Sequence, residues 1–462
     1  MTEIYNKFKK DAESKALNTE HRKKIAFNIS RYDDAVKRGK LQFANLELAR
    51  QRAAHLKYKV INDLDKYLIE FESNFEKNGG KVIWALDCNE ALKEIGEIVK
   101  KHEAVSVVKS KSMVSEELDL NNFLESIGVE SLETDLGEYI VQLAGEHPYH
   151  IVTPAMHKSK EDVAKLFQEK FGLKPNSTPQ EITAFVRNKL RTKFFNADIG
   201  ITGANFILAD TGSVCLTENE GNGLLSVSFP KVHIVIVGIE KVIPSIKNLN
   251  LFWPLLATHG TGQNISAYNS ILSGPRKEGE SDGPEEMYVI LLDNGRSEVL
   301  AQKHQRRALS CIRCGACLNT CPVYKTIGGH AYGTTYTGPI GSVISPWLKG
   351  LNDYKHLSFS SSLCGSCTEV CPVKINLHEL LLFNRRDSVK AGYYTVFERL
   401  SMIGWKNIML NRKWMDTGSA SLKNTLLNVA FAKSWGPRRK LPQISERNFK
   451  QLWEERREGK IK

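Results

Sequence analysis

Seven cysteines crowd between Cys311 and Cys371, and no other feature limits the fold of this chain so sharply. The first group reads Cys311-Ile-Arg-Cys314-Gly-Ala-Cys317-Leu-Asn-Thr-Cys321-Pro322, a C-x2-C-x2-C-x3-C-P run. The second reads Cys364-Gly-Ser-Cys367-Thr-Glu-Val-Cys371-Pro372, the same motif with its first cysteine missing. Ser361 stands three residues before Cys364, where that cysteine would fall. Thiolates at this spacing can turn toward one common group, and Gly315 and Ala316 keep the turn free of bulk. Pro322 and Pro372 fix the chain direction and remove a backbone donor beside the sulfur.

A C-x2-C-x2-C-x3-C-P run suits cubane iron–sulfur clusters, its fourth cysteine serving the other cluster of a pair. Cys311, Cys314, Cys317 and Cys371 are then expected to hold one [4Fe–4S] cluster, and Cys321, Cys364 and Cys367 a second. Three thiolates support either a [3Fe–4S] cluster or a [4Fe–4S] cluster whose last iron takes Ser361, another residue or an outside ligand. The spacing does not choose among these. Zinc is the alternative, because C-x2-C pairs also build tetrahedral sites. Zinc would require two closed sets of four, whereas these seven cysteines fall in a run of four and a run of three, each ending in Cys-Pro. The long connection from Val323 to Ser362, with HELLLFNRR beyond, points to an α-helical two-cluster module. His330, beside Gly328 and Gly329, invites assignment as an extra ligand but reads better as a hydrogen-bonding loop residue.

Thiols on this scale suit a reducing compartment, where disulfides are rare. The amino terminus alternates charge with isolated apolar residues and lacks the apolar stretch of a secretory signal. No apolar run approaches the roughly twenty residues needed to cross a bilayer. A cytoplasmic protein is expected. Cys88 and Cys215 sit apart in apolar surroundings and read as free structural thiols. The net charge of +12 comes with local excesses at 304–307, Arg385–Arg386 and Arg438–Lys440. No nucleic-acid motif accompanies them, so they are read as solvated faces and no nucleic-acid partner is expected.

At 462 residues the chain should divide into two or three domains. Residues 1–78 are expected to be helical, with one long amphipathic helix from Thr19 to Lys77 carrying Leu64, Leu68, Phe71 and Phe75 on one stripe. From 79 to 298, KVIWALD, AVSVVKS, VESLETD, HIVTP, ADIGITGANFILAD and MYVILLD have strand character and alternate with helical stretches, one opened by a capping box at Thr178 and Glu181. This pattern predicts an α/β domain with a mainly parallel sheet, whose ligands would bind at the carboxyl ends of the strands. Candidate loops are Val108–Met113, Asp210–Ser213 and Glu218–Gly223, the last also readable as a plain turn. No dinucleotide or P-loop motif stands in the required context. The cysteine module should occupy 299–395, and a basic helical tail with Trp405, Trp414, Trp435 and Trp453 should occupy 396–462.

The stretches CIRCGACLNTCPVYKTIGGHAYGTTYTGPIGSVISP and SSLCGSCTEVCPVKIN resemble the iron–sulfur subunits of bacterial lactate utilization, the lactate utilization protein B family. GANFILADTGSVCLTENEGNG and SFPKVHIVIVGIEKVIPS are similar to that family's LUD domain. The resemblance implies a LUD domain akin to the sugar-phosphate isomerase and CoA-transferase fold, followed by an α-helical two-cluster ferredoxin domain. It implies a cytoplasmic electron-transfer subunit working with two partner subunits to oxidise L-lactate to pyruvate, its electron acceptor unspecified, with the same seven cysteines as ligands. An iron–sulfur subunit for glycolate or D-lactate, or a LUD sensor of redox state, remain the alternatives. The related fold also makes Glu218 or Glu220 conceivable as a nucleophile, a match too partial to place either in the site.

Overall fold

The computed structural model describes residues 3–436 and 439–460, so Arg438 of the predicted basic cluster lies outside the described residues. The chain divides into two compact units, Met1–Lys390 and Ala391–Lys462.

The first unit begins with helices Glu3–Leu17, Thr19–Gly39, Leu46–Asn62 and Leu64–Lys77, in place of the single helix expected from Thr19 to Lys77. The chain stays helical through Gly39 (φ −60°, ψ −34°) and the short turn Lys40–Gln42, and leaves the helix at Phe43 (φ −84°, ψ 120°). Gly39 packs its backbone on Gly262, where a Cβ would stand 2.4 Å from the Gly262 carbonyl oxygen. Asn45 restarts it by accepting a hydrogen bond from the Leu48 N–H at 2.9 Å, satisfying one of the unpaired donors of the new first turn. The apolar stripe does hold on the last helix, where Leu64, Leu68, Phe71 and Phe75 are all buried. Burying a phenylalanine of this kind contributes roughly 1.5–3 kcal/mol.

Among the described residues ten strands follow: β1 (Lys81–Ala85), β2 (Ser106–Lys109), β3 (Glu130–Glu133), β4 (Ile199–Thr202), β5 (Phe206–Leu208), β6 (Ser213–Glu218), β7 (Val232–Gly238), β8 (Val242–Ile243), β9 (Tyr268–Leu272) and β10 (Glu286–Leu292). Six form an all-parallel sheet in the order β1-β10-β7-β4-β2-β3. Its centre is buried on both faces, which is why β7 and β10 read as continuous apolar runs. Ile234, Ile236 and Ile290 meet helix Cys88–Lys101 on one face. Val235, Val237 and Val289 meet Phe71, Phe75 and the second sheet on the other. That second sheet runs β8-β5-β6-β9. The stretch 197–210 therefore supplies two strands in different sheets, β4 and β5, rather than one run. Thr178 and Glu181 form the predicted capping box of helix Pro179–Asn196.

HIVTP is not a strand. Residues 150–154 form a buried irregular loop in which His150 Nδ1 accepts from the N–H groups of Val152 and Thr153 at 3.1 and 3.3 Å. The side chain thereby does the work that a neighbouring strand would do, and the apolar residues are buried against the cysteine loop. After β10 the chain turns into a short helix, Arg296–Ala301, and enters the cysteine region. There the helices Ala316–Thr320, Pro322–Ile327, Gly338–Leu348, Leu351–Phe359, Ser366–Glu369 and Leu377–Lys390 carry an α-helical module.

The second unit holds helices Val396–Leu410, Arg412–Asp416, Ala420–Trp435 and Phe449–Arg457, with Trp405, Trp414, Trp435 and Trp453 exposed. Among the described residues no helix is long and apolar enough to cross a membrane.

Candidate iron–sulfur site and the adjoining cavity

The two cysteine motifs repeat each other in backbone conformation. Arg313 and Gly315, which flank Cys314, have φ of 60° and 80°; Leu363 and Gly365, which flank Cys364, have φ of 55° and 83°. These left-handed residues give the two cysteine loops the same backbone turn. Cys317 and Cys367 follow on the short helices, and Cys321 caps helix Pro322–Ile327, its sulfur accepting from the Tyr324 N–H at 3.5 Å. Cys311 and Cys371 accept from the N–H groups of Arg313 and Ile375 at 3.4 and 3.3 Å. Ser361 Oγ accepts from the Leu363 N–H at 3.2 Å.

Electrostatics sorts the thiols. Cys311 and Cys371 raise the pKa of Cys314 and of Cys317, and Cys311 raises that of Cys371. Cys321 and Cys364 raise that of Cys367. Burial is the larger cause throughout, pushing Cys371 and Cys367 up to about 11 and Cys314 and Cys317 higher. Cys364 is exposed and is lowered instead, by hydrogen bonding with the backbone and side chain of Ser366. Buried thiols of this kind ionise only when a cationic group shares their space. A run of four cysteines and a run of three, each closed by Cys-Pro, suits an iron–sulfur core, whose chemistry is one-electron exchange.

Basic side chains surround these thiols. Arg50 donates to the Cys371 carbonyl from Nε at 3.2 Å and Nη2 at 2.9 Å, and Arg307 donates to the carbonyls of Ala54 and Val373. Arg385 ties the carbonyls of Ser358 and Ser361 at 2.9 and 3.0 Å. Arg307 and Arg385 therefore brace the cysteine loops rather than forming the solvated faces expected of them. Lys57, fully buried, donates to the Glu240 carbonyl at 2.6 Å, and burial lowers its ammonium to about 7. Cys215 is a buried thiol pushed up to about 12 by burial, as its surroundings predict, whereas Cys88 is only half-buried. His330 bonds to the His147 carbonyl at 2.8 Å and gathers with Glu146 and His157, apart from the cysteines.

At the carboxyl ends of the parallel strands lies a cavity of about 530 Å³. Loops 110–114 after β2, 135–137 after β3 and 203–205 after β4 form one wall, and Arg313, Cys314 and Tyr336 of the cysteine module form another. Of the three predicted loops, Val108–Met113 and Glu218–Gly223 reach this cavity. Asp210–Ser213 does not, since it is the β5–β6 hairpin and Gly212 abuts Asn74 and Phe75. Glu218 accepts from the N–H groups of Gly223 and Leu224 at 2.6 and 2.8 Å, and Glu220 from that of Leu136 at 3.0 Å. Burial raises both carboxyls.

Behind the cavity runs a buried ionic chain. Arg296 bonds Glu240 at 2.7 Å and Glu117 at 2.9 Å, Tyr336 donates to Glu117 at 2.7 Å, and Arg313 meets Glu240 at 3.2 Å. Burial disfavours the Glu240 carboxylate, but Arg296 and Arg313 outweigh it and hold that group down to about 2. None of these residues stood out in the sequence. The one available signal was the arginine inside Cys311-Ile-Arg-Cys314.

The LUD domain family matches residues 68–292 and the 4Fe-4S dicluster domain family matches residues 307–375. Lactate utilization protein B of Bacillus cytotoxicus is 43% identical over 433 residues, and that of Bacillus cereus 42% over 429, each covering 90% of both chains. A DUF162 family protein from Deinococcus radiodurans, solved by crystallography, aligns with 50% of this chain and 98% of its own at a TM-score of 0.29 and 14% identity. Fold and site together define an iron–sulfur protein in which a LUD α/β domain opens onto a ferredoxin-type module. The chain belongs to the lactate utilization protein B family.

Proposed function

We propose that this chain is the cytoplasmic iron–sulfur electron-transfer subunit of a system that oxidises L-lactate to pyruvate together with two partner subunits. Lactate gives up two electrons and two protons in that reaction, and the clusters pass the electrons on singly toward an acceptor. Cys311, Cys314, Cys317 and Cys371 hold one [4Fe–4S] cluster; Cys321, Cys364 and Cys367 hold a second, [4Fe–4S] or [3Fe–4S], with Ser361 at its open corner. Functional domains fall at 1–78, 79–298, 299–395 and 396–462. The observation that carries the reading is the pair of thiol sets, one buried beside the cavity and the other reaching solvent at Cys364. Such an arrangement gives an electron an inner and an outer station.

The test is anaerobic purification with the partner subunits and EPR of the clusters as L-lactate, D-lactate or glycolate is added. Reduction by L-lactate, lost in Cys314→Ser, supports the assignment. Reduction by glycolate or D-lactate alone would transfer the function to that acid, and silence with all three would leave a sensor.

A further inference from the structure

Two buried cations face the cavity without full partners. Arg313 is 9% exposed at its side chain; its Nη2 reaches Glu240, its plane lies over the Tyr336 ring at 4.6 Å, and its Nη1 is buried with no hydrogen-bond partner. Lys241, 7% exposed, follows β7 and lines the same cavity, and among the described residues its ammonium makes no hydrogen bond or ion pair. A guanidinium nitrogen left unpaired in a buried place is destabilising, and an anionic ligand removes that cost. The Arg313 backbone is held in its left-handed turn with its N–H on Cys311 Sγ, while Glu240 and the Tyr336 ring hold its guanidinium.

Asp135, Glu218 and Glu220 also line the cavity, with Lys111 beside Glu220 offsetting part of their charge. A dianion such as phosphate would meet repulsion there. A monocarboxylate with a hydroxyl or carbonyl beside it would place its charge on Arg313 and Lys241 and its neutral polar group toward the acids. We infer that this cavity is a binding site for a small 2-hydroxy or 2-oxo monocarboxylate, clamped by Arg313 and Lys241 next to the cysteine loop. The choice of acid rests on the lactate reading given above; the clamp rests on the two cations.

Calorimetry on the anaerobic, cluster-loaded full chain tests the site, with pyruvate and L-lactate as probes and inorganic phosphate as the contrast. Pyruvate should bind one per chain, lactate should compete, and phosphate should bind far more weakly. Lys241→Gln should weaken pyruvate at least ~10-fold, the loss expected for one charge-assisted hydrogen bond. Arg313→Lys, which keeps the charge but loses the fork, should weaken it as well. Pyruvate should also shift the EPR spectrum of the reduced wild-type protein and leave that of Lys241→Gln unchanged. If Arg313→Lys fails to load clusters, Lys241→Gln decides alone, since Lys241 bonds to no cysteine. Absence of binding by millimolar pyruvate, phosphate binding as tightly, or Lys241→Gln binding like wild type would each overturn the site, even if the assembled system still reduced the clusters with lactate. Pyruvate binding that Lys241→Gln weakens supports the site even if lactate drives no reduction.

Discussion

Ser361 stands in the second motif where Cys311 stands in the first. Each lies three residues before an equivalent cysteine, and each side chain accepts the N–H of the residue two positions on: Cys311 Sγ from Arg313 at 3.4 Å, Ser361 Oγ from Leu363 at 3.2 Å. The repeat is thus preserved in backbone and hydrogen bonding, and only the ligand atom changes from soft sulfur to hard oxygen.

Ser361→Cys is expected to close the second site with a fourth thiolate. Iron retained per chain after mild oxidation should then exceed the wild-type value. Equal loss would show that position 361 does not face the cluster.

Arg50 places positive charge on the Cys371 carbonyl, beside the inner thiol set. Arg50→Met removes a charge that favours the reduced, more negative cluster, so the midpoint potential should fall by on the order of tens of millivolts. An EPR-monitored redox titration measures this, and the outer cluster should move less.

Arg296 is fully buried between Glu117 and Glu240. Arg296→Met leaves Glu117 buried without a cation and Glu240 with Arg313 alone, and should destabilise the fold by roughly 3–5 kcal/mol. Denaturant unfolding followed by far-ultraviolet circular dichroism reads the loss. A double variant with Glu117→Gln should recover part of it.

Five histidines are held neutral by burial, His150 and His233 down to about 3 and His21, His157 and His259 down to about 4. The unfolded chain takes up these protons near 6.5 and the folded chain does not, so unfolding binds protons and stability falls with pH in this window. Stability should be full above about 6.5 and decline steadily toward 4. His233, in β7, bonds Thr202 at 2.8 Å. His233→Gln should flatten the decline between pH 6 and 4 by roughly one proton's worth, compared with wild type at each pH by denaturant titration.

The cysteine module was legible because coordination dictates spacing along the chain before any tertiary structure exists. The capping box at Thr178 and Glu181 was legible for the same reason, being complete within four residues. The long helix from Thr19 was misread because the chain leaves helical conformation at Phe43 with no proline to mark the break, and periodicity alone does not reveal it. HIVTP was misread because burial against the cysteine loop imitates a strand's apolar pattern, while His150 supplies hydrogen bonds that no periodicity reveals. Arg313 and Lys241 converge only once β7 and the cysteine turn are in place, and nothing in either local sequence announces the other.

Cys364 is open to solvent while Cys314 and Cys317 are enclosed. An edge through which an electron can leave is also an edge through which dioxygen can enter. Oxidative decay of such a protein would start at the outer sulfur and reach the inner set last, so bleaching in air should proceed in two phases. Whatever docks over Cys364 to collect electrons would then double as the shield that keeps the cluster alive between turnovers.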